Sequence, residues 1–137
     1  MDTYYQVFET LFKETGDKTG IELPYELEIY TIKLMAHYIN RTDLDSNETF
    51  AEQYLKATTQ QECKTVGDRA LMVYGWFPIR RQHRGVEEQY YSDIGRAAYS
   101  RCQSEIFESL TENFNVVGLL MRQIPTQEVH SLIHWDI

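Results

Sequence analysis

Long apolar runs are missing from this chain: no stretch approaches the ~20 consecutive apolar residues of a membrane-spanning helix. The opening "MDTYYQVFETLF" carries acids inside its apolar run and no basic residue ahead of it, so it does not read as a secretory signal. Cysteine is scarce. Cys63 and Cys102 stand far apart with no CxxC spacing, which leaves no disulfide framework and predicts two free, reduced, partly buried thiols. Neither has a histidine near it in sequence, and the chain contains no GxSxG, no HExxH and no glycine-rich phosphate loop. Nucleophilic catalysis therefore has no footing in the sequence. No period-2 alternation of useful length and no repeat at a period of about 30 to 50 residues is present, which excludes a half-buried β-sheet and a helical-repeat solenoid. A cytoplasmic protein is expected, with no bound cofactor.

What remains is helical. In 137 residues, 42% of them apolar, there is material for one domain with its own core. Tyr4, Val7, Phe8, Leu11 and Phe12 fall on one stripe, and "ETGDKTG" predicts an end to the first helix near residue 15. Pro24 opens a second helix, with Glu26 and Glu28 at the positive end of its dipole and Leu27, Tyr30, Leu34 and Tyr38 along one side. Asp45 and Glu48 have capping-box spacing ahead of a third helix through Phe50, Ala51, Tyr54 and Leu55. A break near Thr59 leads to a fourth, Cys63 to Phe77, stopped by Pro78. A long periodic stretch runs from Val86 to about Asn113, with a bend or an end expected inside it; Val116 to Ile124 and a short element after Thr126 complete the chain. The sum is an all-α single bundle of six to seven helices over residues 1–137.

Charge is unevenly spread. Residues 1–63 carry 5 basic and 12 acidic side chains, residues 64–101 carry 7 and 4, and residues 102–137 carry 1 and 5, within a net charge of −8. An acidic protein is repelled by phosphate backbones, so nucleic acid is a poor fit as a partner. The basic middle holds Arg80, Arg81 and Arg84 next to Trp76 and Phe77, and this pairing of aromatic anchors with guanidinium donors predicts a contact surface for a protein partner or for a second copy of the chain.

The alternative site lies beside it. Asp68 sits in an apolar neighbourhood, where an ionised carboxylate requires partners. Arg96, Arg69 or a tyrosine hydroxyl can serve, making Asp68 either a structural ion-pair member or the centre of a small-molecule-binding or enzyme pocket lined by Tyr74, Tyr90, Tyr91, Arg96 and Tyr99. Gly75 reads as a left-handed helix terminus before Pro78, and Gly95 as a point of close helix approach against Tyr74, Trp76 or Phe77. His130 and His134 are four apart, which places them on one helix face with Glu128 and Asp136 nearby, but the spacing alone is weak and the residues between them make no HExxH, so no metal site is assigned. The stripe through Met35 and His37 reads as core rather than as a haem pocket.

"GDRALMVYGWFP" followed by "YYSDIGRAAY" resembles a pattern of small uncharacterised bacterial helical proteins. The resemblance is carried by Gly67, Asp68, Leu71, Gly75, Phe77, Pro78, Tyr90, Tyr91, Gly95, Ala98 and Tyr99. It covers about a third of the chain and implies a bacterial origin, with no activity, cofactor or partner attached.

Overall fold

A computed structural model describes residues 3–39, 49–76, 88–124 and Val129. Among them are six helices and no strand: α1 Thr3–Thr19, α2 Tyr25–Tyr38, α3 Phe50–Lys56, α4 Gln60–Trp76, α5 Glu88–Ser100 and α6 Glu105–Arg122. The all-α bundle expected from the apolar spacing is the fold.

Its centre is the trio α4, α5 and α6, which pack on one another more extensively than any other elements. The buried residues of α4 leave almost no polar face in its second half: Ala70, Leu71, Met72, Val73, Tyr74, Gly75 and Trp76 are all covered. Such a helix is stable only when neighbours surround it. Phe114, Leu110 and Met121 of α6 and Tyr91 and Tyr99 of α5 do so, all at 0% exposure. α1 lies on α2, and α3 is a short brace across α4 and α5.

Several boundaries differ from the sequence reading. α1 runs through Gly16 and stops at Gly20, whose φ of 74° ends the helix in the left-handed conformation while its N–H reaches Gly16 O at 2.8 Å. One glycine inside the last turn is too weak a breaker to stop the helix early. The N-cap of α3 is Thr49, whose hydroxyl accepts from Glu52 N at 3.1 Å; the Asp45–Glu48 box lies outside the described residues. α4 opens with a full capping box, Thr59 Oγ1 accepting from Glu62 N and Glu62 Oε1 accepting from Thr59 N at 3.1 and 3.2 Å.

The long periodic stretch is divided between two helices, and the second, α6, continues past Asn113 to Arg122, so the separate helix expected from Val116 is its second half. Arg101 N and Cys102 N turn back to Ala98 O and Tyr99 O, closing α5 before Ser104 restarts the chain as α6. The Arg101 guanidinium donates to Tyr54 O and Ala57 O at the end of α3, at 3.3 and 2.9 Å, which fixes the break in place. Apolar spacing continues through it because both helices face the same core.

Gly75 is corrected: it lies within α4, and its role is close approach. A Cβ there would stand 3.0 Å from Met121 Cβ. Gly95 is also a close-approach position, but the side chain it admits is Phe114 of α6, 2.4 Å from where a Cβ would be, with Ala70 of α4 at 3.2 Å.

Candidate functional site

Asp68 sits midway along α4 at 3% exposure. Its Oδ1 accepts from two phenols, Tyr30 of α2 at 2.6 Å and Tyr99 of α5 at 2.7 Å. Its Oδ2 accepts from Lys64 Nζ, one turn earlier on α4, at 2.9 Å. Three helices thus converge on one carboxylate. Burying it without such donors would cost several kcal/mol, and short hydrogen bonds to an ionised acceptor are among the strongest available. The Lys64 ammonium also lies 5.6 Å from the centroid of the Tyr30 ring, which adds a cation–π contact.

Both phenols are held protonated. Burial pushes the Tyr30 hydroxyl far above the ordinary tyrosine range, and the Asp68 charge and hydrogen bond push in the same direction. Tyr99, fully enclosed, is raised by burial first, then by Asp68 and Tyr30. They act as fixed donors. Close by, the Cys102 thiol faces Ala98 O at 3.6 Å and Gln60 O at 3.7 Å; burial, then Cys63 and Asp68, push it up to about 11.

One side of this cluster is open. Tyr30, Lys64 and Asp68 form a wall of a cleft of about 410 Å³ between α2 and α4, which α2 contributes to with Lys33, Leu34, His37 and Tyr38, and α4 with Gln61 and Thr65. Positions 30, 33, 34, 37 and 38, and 61, 64, 65 and 68, follow the three-and-four spacing of a single helix face. At that spacing two bundle helices ordinarily interlock apolar side chains; here α2 meets α4 only over a short length, and Lys33, His37, Gln61, Lys64 and Thr65 stand among the apolar residues of the two faces.

The sequence-predicted residues scatter. Asp68 and Tyr99 are together as expected. Arg96 is not the partner of Asp68: its Nε donates to Thr111 O at 3.2 Å on the surface. The Tyr74 carbonyl takes the Arg122 guanidinium at 2.8 and 3.1 Å, and the Tyr74 ring lies under the same guanidinium and against Phe114, away from Asp68. The Tyr90 hydroxyl accepts from Ala51 N at 2.9 Å and serves the start of α3. Tyr91 is fully buried edge-on to Phe50 and Tyr90. Trp76, expected on an exposed contact surface, is 7% exposed, with Nε1 donating to Ile124 O at 2.9 Å and its ring 5.3 Å from Phe8. Apolar demand at the end of α4 takes the indole inward. Phe77, Arg80, Arg81, Arg84, His130 and His134 lie outside the described residues.

Two residues of the cluster were missed as site residues. Tyr30 was visible on the buried stripe of α2, but nothing in one dimension joins it to a position 38 residues later. Lys64 was legible: a lysine four residues before a buried aspartate shares its helix face. Among the described residues no group of three or more His, Cys, Asp or Glu side chains could hold a metal, and no helix is long and apolar enough to cross a membrane. Compared with known proteins, the chain matches no family model, no curated protein and no solved structure.

Proposed function

We propose that this protein binds a small molecule in the cleft between α2 and α4, with Asp68, Tyr30 and Lys64 as the inner wall and the enclosed Tyr99 holding Asp68 from behind. The observation that carries this reading is the convergence of three donors, from three helices, on a buried carboxylate at the edge of an open polar space. Preorganised polar groups at one end of a concave site are what fix a ligand's orientation. The aromatic and arginine contact surface that the sequence favours for a protein partner loses an anchor, since Trp76 is built into the core.

The cluster is suited to holding a charge pattern rather than to moving protons. Asp68 already accepts three hydrogen bonds, and the phenols and the Cys102 thiol are all driven toward their protonated forms. Native mass spectrometry after exposure to a small-molecule cell extract tests the reading. The wild type should retain a bound mass, and Thr65→Trp, which fills the cleft from its half-buried rim, should lose it while keeping its helical circular dichroism. A wild type that retains nothing, or a variant that retains as much, counts against it.

A further inference from the structure

We infer that the ligand of this cleft is a small organic oxyanion, a carboxylate or a phosphate monoester, recognised by Lys64, Lys33 and His37. This rests on the binding reading above and assigns the charge that the cleft selects.

The charged or titratable side chains lining the cleft are Lys33, His37, Lys64, Asp68 and the phenols Tyr30 and Tyr38. Asp68 does not present its charge to the open space: it is 3% exposed, and both oxygens are occupied by donors of the protein itself. Lys64 is different. Its side chain is 35% exposed, and an ammonium has three donors, of which Asp68 takes one. Lys33 and His37 are exposed, one turn apart on the facing edge of α2. Gln61 adds an amide from α4, while the Thr65 hydroxyl donates to Gln61 O at 3.0 Å.

A cationic ligand would have to displace Lys64 from Asp68 while approaching Lys33, and like charges in a confined space are costly. An oxyanion meets donors from both walls and leaves the Asp68–Lys64 pair intact. The contrast with the whole molecule is large, since two lysines flank one cleft in a chain of net charge −8. Against the one aspartate, already paired with Lys64, the two lysines leave a net positive lining that favours an anion. Leu34 and Tyr38, largely covered, contribute only their edges to the lining, and a volume of about 410 Å³ suits a small organic body better than a bare inorganic ion.

Isothermal titration with four probes of the same ring tests the charge: benzoate, phenyl phosphate, benzyl alcohol and benzylammonium. The two anions should bind saturably, the alcohol and the ammonium should not, and the stronger of the anions identifies the head group. Lys33→Gln should weaken anion binding about fivefold, and Lys18→Gln on the exposed surface of α1 should leave it unchanged. Lys64→Gln should weaken it further, but its effect on Asp68 makes Lys33→Gln the deciding variant. Equal or tighter binding of the alcohol or the ammonium, no saturable binding of either anion, or an unchanged Lys33→Gln overturns the inference. A neutral or cationic mass retained in the extract experiment overturns the charge and leaves the binding reading standing. No retained mass at all removes both.

Discussion

The ring of Tyr99 occupies the space that a side chain at Gly67 would need: a Cβ on Gly67 would lie 2.7 Å from Tyr99 Cδ1, and the hydroxyl of the same ring donates to the next residue, Asp68, at 2.7 Å. The pair Gly67–Asp68 is therefore one device. The glycine admits the ring to the backbone of α4, and the aspartate captures its far end. This accounts for a glycine in the interior of a helix, where it costs about 1 kcal/mol relative to alanine.

Gly67→Ala should consequently destabilise the fold despite the higher helix propensity of alanine. The methyl meets a buried, hydrogen-bonded ring that cannot swing aside, a type of overpacking that costs about 1–3 kcal/mol. Urea denaturation should show a lower midpoint with an unchanged slope. An equal or higher midpoint would show that the ring is free to move.

Removing one donor from Asp68 leaves a buried charge short of a partner. Tyr99→Phe should cost about 1.5–3 kcal/mol, the range for hydrogen bonds to charged groups. Tyr30→Phe should cost less, since Tyr30 is only half-buried. The two changes share Oδ1, so a double-variant cycle should give a non-additive result. Strict additivity would mean that the two phenols act independently.

Alkaline solution probes the same hydrogen bonds. Tyr30 and Tyr99 have folded-state pKa values raised above the ordinary 10.0. Their contribution to stability is therefore full below pH 10 and is lost as pH climbs above it, because the unfolded chain gives up phenolic protons that the native state keeps. Denaturant midpoints should fall above pH 10, and tyrosinate absorbance at 295 nm should show a fraction that ionises only on unfolding. Tyr99→Phe should flatten the alkaline decline. Complete tyrosine ionisation with the helical signal intact would contradict the buried donor network.

Cys102 should be inert in the folded protein. A thiol pushed up to about 11 and 4% exposed presents only about a thousandth of its population as thiolate at pH 8, and that fraction is enclosed. In a Cys63→Ala background, reaction with an aromatic disulfide reagent should be slow in buffer and complete within the mixing time in 8 M urea (roughly, any strongly denaturing concentration). Rapid modification of the native protein would place the thiol at the surface.

Sequence alone determined the class of the fold. Apolar residues recur at three-and-four spacing through nearly the whole chain, and that periodicity belongs to each segment by itself, so the helices of "IELPYELEIY" and "CKTVGDRALMV" were readable without knowing their neighbours. Asp68 stood out for the same reason, as a carboxylate within an apolar run. Its partners were a different matter. Arg96 and Tyr74 were reasonable choices by chemistry, yet Arg96 points to the outer surface of α5 and Tyr74 turns toward α6. Tyr30 and Tyr99 reach the carboxylate because α2 and α5 both pack against α4, an arrangement set by how helices dock and not by any local signal. The cleft has the same origin. The residues of its two faces are written in the sequence at ordinary helical spacing, and they become a site only because α2 and α4 are brought together over a short length. Spacing along one helix decides which residues share a face, but which faces meet depends on the free energy of the whole packed core, to which every helix contributes.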